Sequence, residues 1–125
     1  MSLLLDSHVL LWWLEDNPKI GPVVLATLAD PKTRVLVSAA SIWEIGIKQA
    51  LGKLHAPESI LDLLPEEGFE TLPITARHAE AAARLPLLHR DPFDRMLVAQ
   101  AHLERLTLVT HDEALWAYDL EILMV

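Results

Sequence analysis

At 125 residues, 52% of them hydrophobic and none of them cysteine, the chain is long enough for one domain (1–125) with a full core, and disulfides and thiolate metal sites are excluded. No apolar run approaches the roughly 20 residues of a membrane-spanning helix, and Asp6 interrupts an opening apolar stretch that carries no basic residue, so a cytoplasmic protein with no membrane attachment is expected. Ten Lys and Arg against 18 Asp and Glu give a net charge of −8, which argues against a nucleic-acid footprint unless clustered carboxylates hold divalent cations that reverse the local field.

Short apolar runs and turn residues predict alternating elements. Residues 2–5 read as a buried strand and 8–14 as a helix. A helix over 22–28 starts on Pro22 and ends before Asp30-Pro31. The run RVLVS at 34–38 is a β-branched strand, followed by a helix over 42–51 that stops at Gly52. A short helix is expected over 57–64 and a strand over 70–74, where Pro73 favours an edge or a strand end. The Ala-rich 75–85 is strongly helical, and 92–106 is the longest helix. A strand over 107–110, a short helix over 113–117 and a strand over 120–125 complete the order. Strands alternating with helices imply an α/β fold with a mainly parallel sheet of about five strands, covered on both faces. In such sheets ligands bind beyond the carboxyl ends of the strands.

Acidic residues stand at those ends. Asp6 follows the first strand, Glu44 opens the helix after the second, Asp94 begins the longest helix, and Asp112 follows the strand at 107–110. Each has a local explanation. Asp6 fits a helix cap. Ser41-Ile42-Trp43-Glu44 has the form of a capping box with Ser41 as N-cap and Glu44 three residues on. Asp91-Pro92-Phe93-Asp94 has the same form, and Thr110-His111-Asp112-Glu113 fits a third box with Asp112 as a first-turn acid. Jointly, however, the acids recur at successive strand exits on one edge of the sheet. Crowded carboxylates repel unless cations neutralise them, and an all-oxygen set suits Mg²⁺ or Mn²⁺. The chemistry implied is metal-assisted phosphodiester hydrolysis. No glycine-rich phosphate loop and no G-x-S-x-G elbow occurs, and the six histidines show no H-E-x-x-H spacing.

Four segments carry a family resemblance. Leu3-Leu4-Leu5-Asp6-Ser7-His8 resembles the opening of VapC-type PIN domains, the ribonuclease toxins of type II toxin–antitoxin pairs. Ser38-Ala39-Ala40-Ser41-Ile42-Trp43-Glu44-Ile45 is similar to their second signature, His89-Arg90-Asp91-Pro92-Phe93-Asp94-Arg95 to the third, and Leu108-Val109-Thr110-His111-Asp112 to the fourth. The match runs in order along nearly the whole chain. It implies a PIN-like three-layer α/β/α domain, with Asp6, Glu44, Asp94 and Asp112 as carboxylates for one or two Mg²⁺ or Mn²⁺ ions. It also implies an endoribonuclease that forms a homodimer and is silenced by a VapB-like antitoxin crossing the active-site groove. The reaction expected is in-line attack of a metal-activated water on RNA, with no protein nucleophile. Ser7 stands where Thr is commoner, and either hydroxyl can hydrogen-bond a carboxylate.

Supporting residues have two readings each. Arg95 and Lys48 suit phosphate contacts or surface ion pairs, Lys48 also being an i,i+4 partner for Glu44. Asp91 reads as an N-cap, or as an acid behind the metal ligands. Core packing is the default for Trp12, Trp13, Trp43 and Trp116, with base stacking as the alternative and Trp12 or Trp13 as a partner contact. The apolar stretches 10–14 and 60–64 are candidates for a dimer or antitoxin groove, in keeping with a mean hydropathy of +0.28. Two other functions compete: a catalytically silent PIN-like protein-interaction domain whose acids are only caps, and a structure-specific DNA nuclease.

Overall fold

A computed structural model describes residues 1–55 and 59–125. Five parallel strands form one sheet in the order β3-β2-β1-β4-β5, with β1 Ser2–Leu5, β2 Arg34–Ser38, β3 Glu70–Leu72, β4 Thr107–Thr110 and β5 Ile122–Met124. The central strands are apolar on both sides because both faces are covered, as parallel sheets require. Leu3, Leu5, Val35, Val37 and Val109 face one core, which is completed by helices α1 (Ser7–Leu14), α2 (Pro22–Ala29), α3 (Ala39–Ala50) and α4 (Ile60–Leu63). Leu4, Leu36 and Leu108 face the other, against α6 (Pro92–Glu104). Helix α5 (Ala76–Arg84) packs on α6. The three-layer α/β/α architecture is therefore the expected one.

Side-chain caps mark most helix starts. Thr75 caps α5 and forms a reciprocal box with His78, and Asp91 caps α6 by accepting from the N–H groups of Phe93 and Asp94, with Pro92 in the first turn. Gly52 adopts a φ of +68° just beyond α3, the left-handed conformation that closes a helix. Pro73 follows the last residue of β3, which is an edge strand. The expected start of the helix over 57–64 lies outside the described residues, and the helix runs Ile60–Leu63, capped by Ser59. The segment expected as a helix at 113–117 is a 3₁₀ turn, Glu113–Ala117.

Two capping assignments are corrected. Helix α3 starts at Ala39, capped by the Ser38 hydroxyl, which accepts from the Ala40 N–H at 3.0 Å. Ser41 is therefore inside the helix, and Glu44 belongs to its second turn. Strand β2 ends in a serine already set for a cap, so the helix follows without a linker. After β4, the N-cap is Asp112 itself, which accepts from the Ala114 N–H, while Thr110 accepts from the Asp112 N–H. Asp112 thus stands before the turn and not in it.

Strand order explains where a site can form. The chain runs from β1 outward to β2 and β3, then returns to the other side of β1 for β4 and β5. The reversal falls between β1 and β4, and their carboxyl ends open a crevice there. Helix α6 precedes β4 and packs beside it, so its first turn lies at this same edge.

Candidate active site

Each acid reaches that edge by a different route. Asp6 leaves β1 and caps α1, its Oδ1 accepting from the Val9 N–H at 2.8 Å. Its Oδ2 accepts from the Thr110 hydroxyl at the end of β4. Glu44 comes from α3 and is buried; its Oε1 accepts from the Ser7 hydroxyl at 2.6 Å, and its Oε2 lies 3.2 Å from Lys48 Nζ. Asp94 stands in the first turn of α6, and Asp112 follows β4. Together with Ser7, His8, Lys48, Asp91, His111 and Glu113 they line one cleft of about 530 Å³.

The structure thus brings all four acids together, with Ser7, Lys48 and Asp91 beside them. Lys48 makes the expected i,i+4 pair with Glu44, and Asp91 the expected N-cap. Ser41 is buried one turn before Glu44 and its hydroxyl has no hydrogen-bond partner among the described residues. Arg95 makes no ion pair with a carboxylate among the described residues and donates instead to the backbone carbonyls of Ala82, Leu85, Pro86 and His89 at 2.8–3.3 Å. Those carbonyls lie at the end of α5 and in the segment leading to α6, and the planar fork of a guanidinium suits several of them at once.

Sequence reasoning passed over two contributors. Thr110 joins Asp6 to the Asp112 backbone. His89 places Nε2 at 3.0 Å from Asp94 Oδ2 and 3.1 Å from Asp112 Oδ2. Its presence five residues before Asp94 in the third signature was the available signal. The tryptophans are also distributed differently from expectation. Trp12 and Trp13 pack on the core, with Trp13 donating its N–H to Glu67, whereas Trp43 and Trp116 are 64% and 56% exposed.

Electrostatics follow from the crowding. Burial raises the pKa of Asp6 above the ordinary carboxyl value, against the hydrogen bonds from Thr110 and Val9. Asp94 is pushed up to about 7, first by burial and then by the charges of Asp91, Glu44 and Asp6, with His89 opposing. Lys48, which lines the site, is paired with Glu44. Its donors fit a hard divalent cation: they are carboxylate oxygens from several elements, and one oxygen each of Asp94 and Asp112 lie within 4.8 Å of each other.

The chain matches the family described as PIN domain over residues 3–120. It is 39% identical over 61 residues to Ribonuclease VapC16 of Mycobacterium tuberculosis, a match covering 47% of this chain and 43% of that relative. The chain thus aligns with less than half the length of this curated relative. Among solved structures, VapBC2 from Rickettsia felis bound to a DNA fragment from its promoter is similar with a TM-score of 0.72 at 17% identity, covering 99% of this chain and 98% of that one. VapBC-1 from nontypeable Haemophilus influenzae gives 0.69 at 21% identity, with coverage of 99% and 98%. At such identities these two show the fold. With the family matched over nearly its full length, the chain belongs to the PIN domain family.

Proposed function

We propose that the protein is a Mg²⁺- or Mn²⁺-dependent endoribonuclease, the toxin of a toxin–antitoxin pair. The observation that carries this reading is the convergence of Asp6, Glu44, Asp94 and Asp112 on one cleft from separate stretches of chain. Structural acids at helix starts need only their local caps. Here Asp94 makes no cap, and burial with like charge holds its carboxyl far above the usual range. The name of the M. tuberculosis relative supports ribonuclease activity, and the VapBC assemblies support a VapB-like antitoxin as partner.

In this reading Asp6, Glu44 and Asp94 hold one or two ions, with Asp112 completing the set. A bound divalent ion would supply positive charge for the phosphate and lower the pKa of a water. The chain's own residues set the geometry. Ser7 and Thr110 orient Glu44 and Asp6 by donating to one oxygen of each. Lys48 balances the charge of Glu44 and lines the cleft that an RNA phosphate would enter. The reading includes a cytoplasmic location and a homodimer; among the described residues no helix is long and apolar enough to cross a membrane.

The test is cleavage of total cellular RNA by partner-free protein in Mg²⁺ or Mn²⁺ and then in EDTA, with Asp94→Asn alongside. Metal-dependent cleavage that disappears in the variant is expected. A folded protein that binds Mn²⁺ but cuts DNA and not RNA would reassign the substrate. A folded protein that neither binds metal nor cuts would leave a protein-interaction domain.

A further inference from the structure

The segment between α5 and α6 is held more firmly than a connection needs. Arg95 donates to the carbonyls of Ala82, Leu85, Pro86 and His89. From the other side the Tyr118 hydroxyl accepts from the His89 N–H at 3.1 Å and donates to the Pro86 carbonyl at 3.0 Å. Both backbone polar groups of His89 are therefore pinned, one by each residue.

Its ring is equally constrained. The Asp91 backbone N–H points at His89 Nδ1 at 3.3 Å. A backbone N–H is always a donor, so Nδ1 must present its lone pair and the ring proton sits on Nε2. Nε2 is the atom between Asp94 and Asp112, at 3.0 and 3.1 Å. It donates to Asp112, lies within ion-pair distance of Asp94, and has no lone pair for a cation. The contact lies on Asp94 Oδ2, so Oδ1 is the oxygen left for an ion.

We propose that His89 is a positioning residue for Asp94 and Asp112, a fixed N–H donor and not a metal ligand, and that Arg95 and Tyr118 hold it in place. The inference rests on the metal-nuclease reading and adds what sets the spacing of its acids. Two carboxylates from different elements repel each other, and an N–H that donates to Asp112 while lying 3.0 Å from Asp94 Oδ2 holds one oxygen of each near a common point. Outer partners of this kind typically contribute about 10- to 100-fold to metal affinity.

The experiment is titration with Mn²⁺ alone, followed by electron paramagnetic resonance for affinity and by electron spin-echo modulation for nitrogen coupling. His89→Ala should weaken Mn²⁺ by roughly 10- to 100-fold. His89→Gln, whose amide N–H reaches close to the Nε2 position, should recover most of that. His8 and His111 line the same cleft, so nitrogen coupling is compared between parent and His89→Gln, where it should be unchanged. Coupling present in the parent and lost in His89→Gln would make His89 a ligand and overturn the proposal, as would unchanged affinity in His89→Ala. Arg95→Lys and Tyr118→Phe should both weaken Mn²⁺, and unchanged affinity in the folded variants would remove the clamp. Tyr118→Phe deletes one hydroxyl and decides the matter if Arg95→Lys does not fold. A parent protein that binds no Mn²⁺ at all would instead overturn the metal-nuclease reading, and this one with it.

Discussion

Thr110 and Asp6, 104 residues apart in the chain, are joined by a buried hydrogen bond between the ends of two neighbouring strands, β4 and β1. Thr110 also accepts from the Asp112 N–H, so one hydroxyl ties together two of the four acids. The bond opposes the effect of burial on Asp6, favouring its ionised form.

Replacing that hydroxyl has a definite consequence. Thr110→Val keeps the shape and removes the donor, so the Asp6 carboxyl rises further and the Asp112 N–H loses its acceptor. A loss of stability of about 1–3 kcal/mol is expected, the usual effect of stranding buried polar groups. Mn²⁺ affinity should fall as well, and more steeply at pH 6 than at pH 8, because the ion must then compete with a proton on Asp6. Thermal melts and Mn²⁺ titrations at the two pH values check this. Equal losses at both would show that the hydroxyl does not act through the ionisation of Asp6.

Asp94 makes a prediction about the metal-free protein. Its carboxyl titrates at about 7 when folded and at roughly 4 when unfolded. Between those values the folded state binds the extra proton, so the contribution of Asp94 to stability is full below pH 4, falls as pH rises, and is gone above 7. Asp94→Asn carries no such charge. In EDTA the variant should therefore melt higher than the parent at pH 8, by about 4 °C or more, with the gap closing towards pH 5. Saturating Mn²⁺ should reverse the order by stabilising the parent alone. A constant gap from pH 5 to 8 in EDTA would mean that the cluster does not repel as the geometry implies.

How far the sequence carried the reading varies with the range of the interactions. The strands and the caps at Asp6 and Asp91 depend on neighbours within four residues, and they were legible. So was the placement of four acids at one sheet edge, since strand–helix alternation alone sends their positions there. Helix α3 was misplaced by three residues because Ser38 and Ser41 both suit an N-cap. The choice falls to Ser38 at the end of a buried strand, which pairing with β1 and β3 settles. Arg95 and His89 were not legible in their actual roles. Nothing local says that a guanidinium beside an aspartate will turn to the carbonyls of another helix end, or that the segment it grips will carry an imidazole to Asp112, 23 residues further on.

The exposed Trp43 leads to the last prediction. It precedes Glu44 on α3, and its ring meets that of Phe93, which precedes Asp94 on α6, at 5.3 Å and 72°. An edge-to-face pair is thus held beside two of the acids, with the tryptophan left 64% exposed. Core packing does not account for a tryptophan so open to solvent, and stacking with an unpaired base requires such a face. Trp43→Ala should change stability by no more than about 1 kcal/mol, as exposed positions do. It should raise the KM for a single-stranded RNA by about 5-fold or more, from the 1–3 kcal/mol that one base–aromatic stack contributes. The Mn²⁺ affinity should stay as it was, because Trp43 touches neither ion nor acid. Trp43→Phe keeps an aromatic face and should restore much of the KM. An unchanged KM in Trp43→Ala would place the RNA elsewhere along the cleft, and a matching fall in Mn²⁺ affinity would show that the ring acts by holding α3 and α6 together.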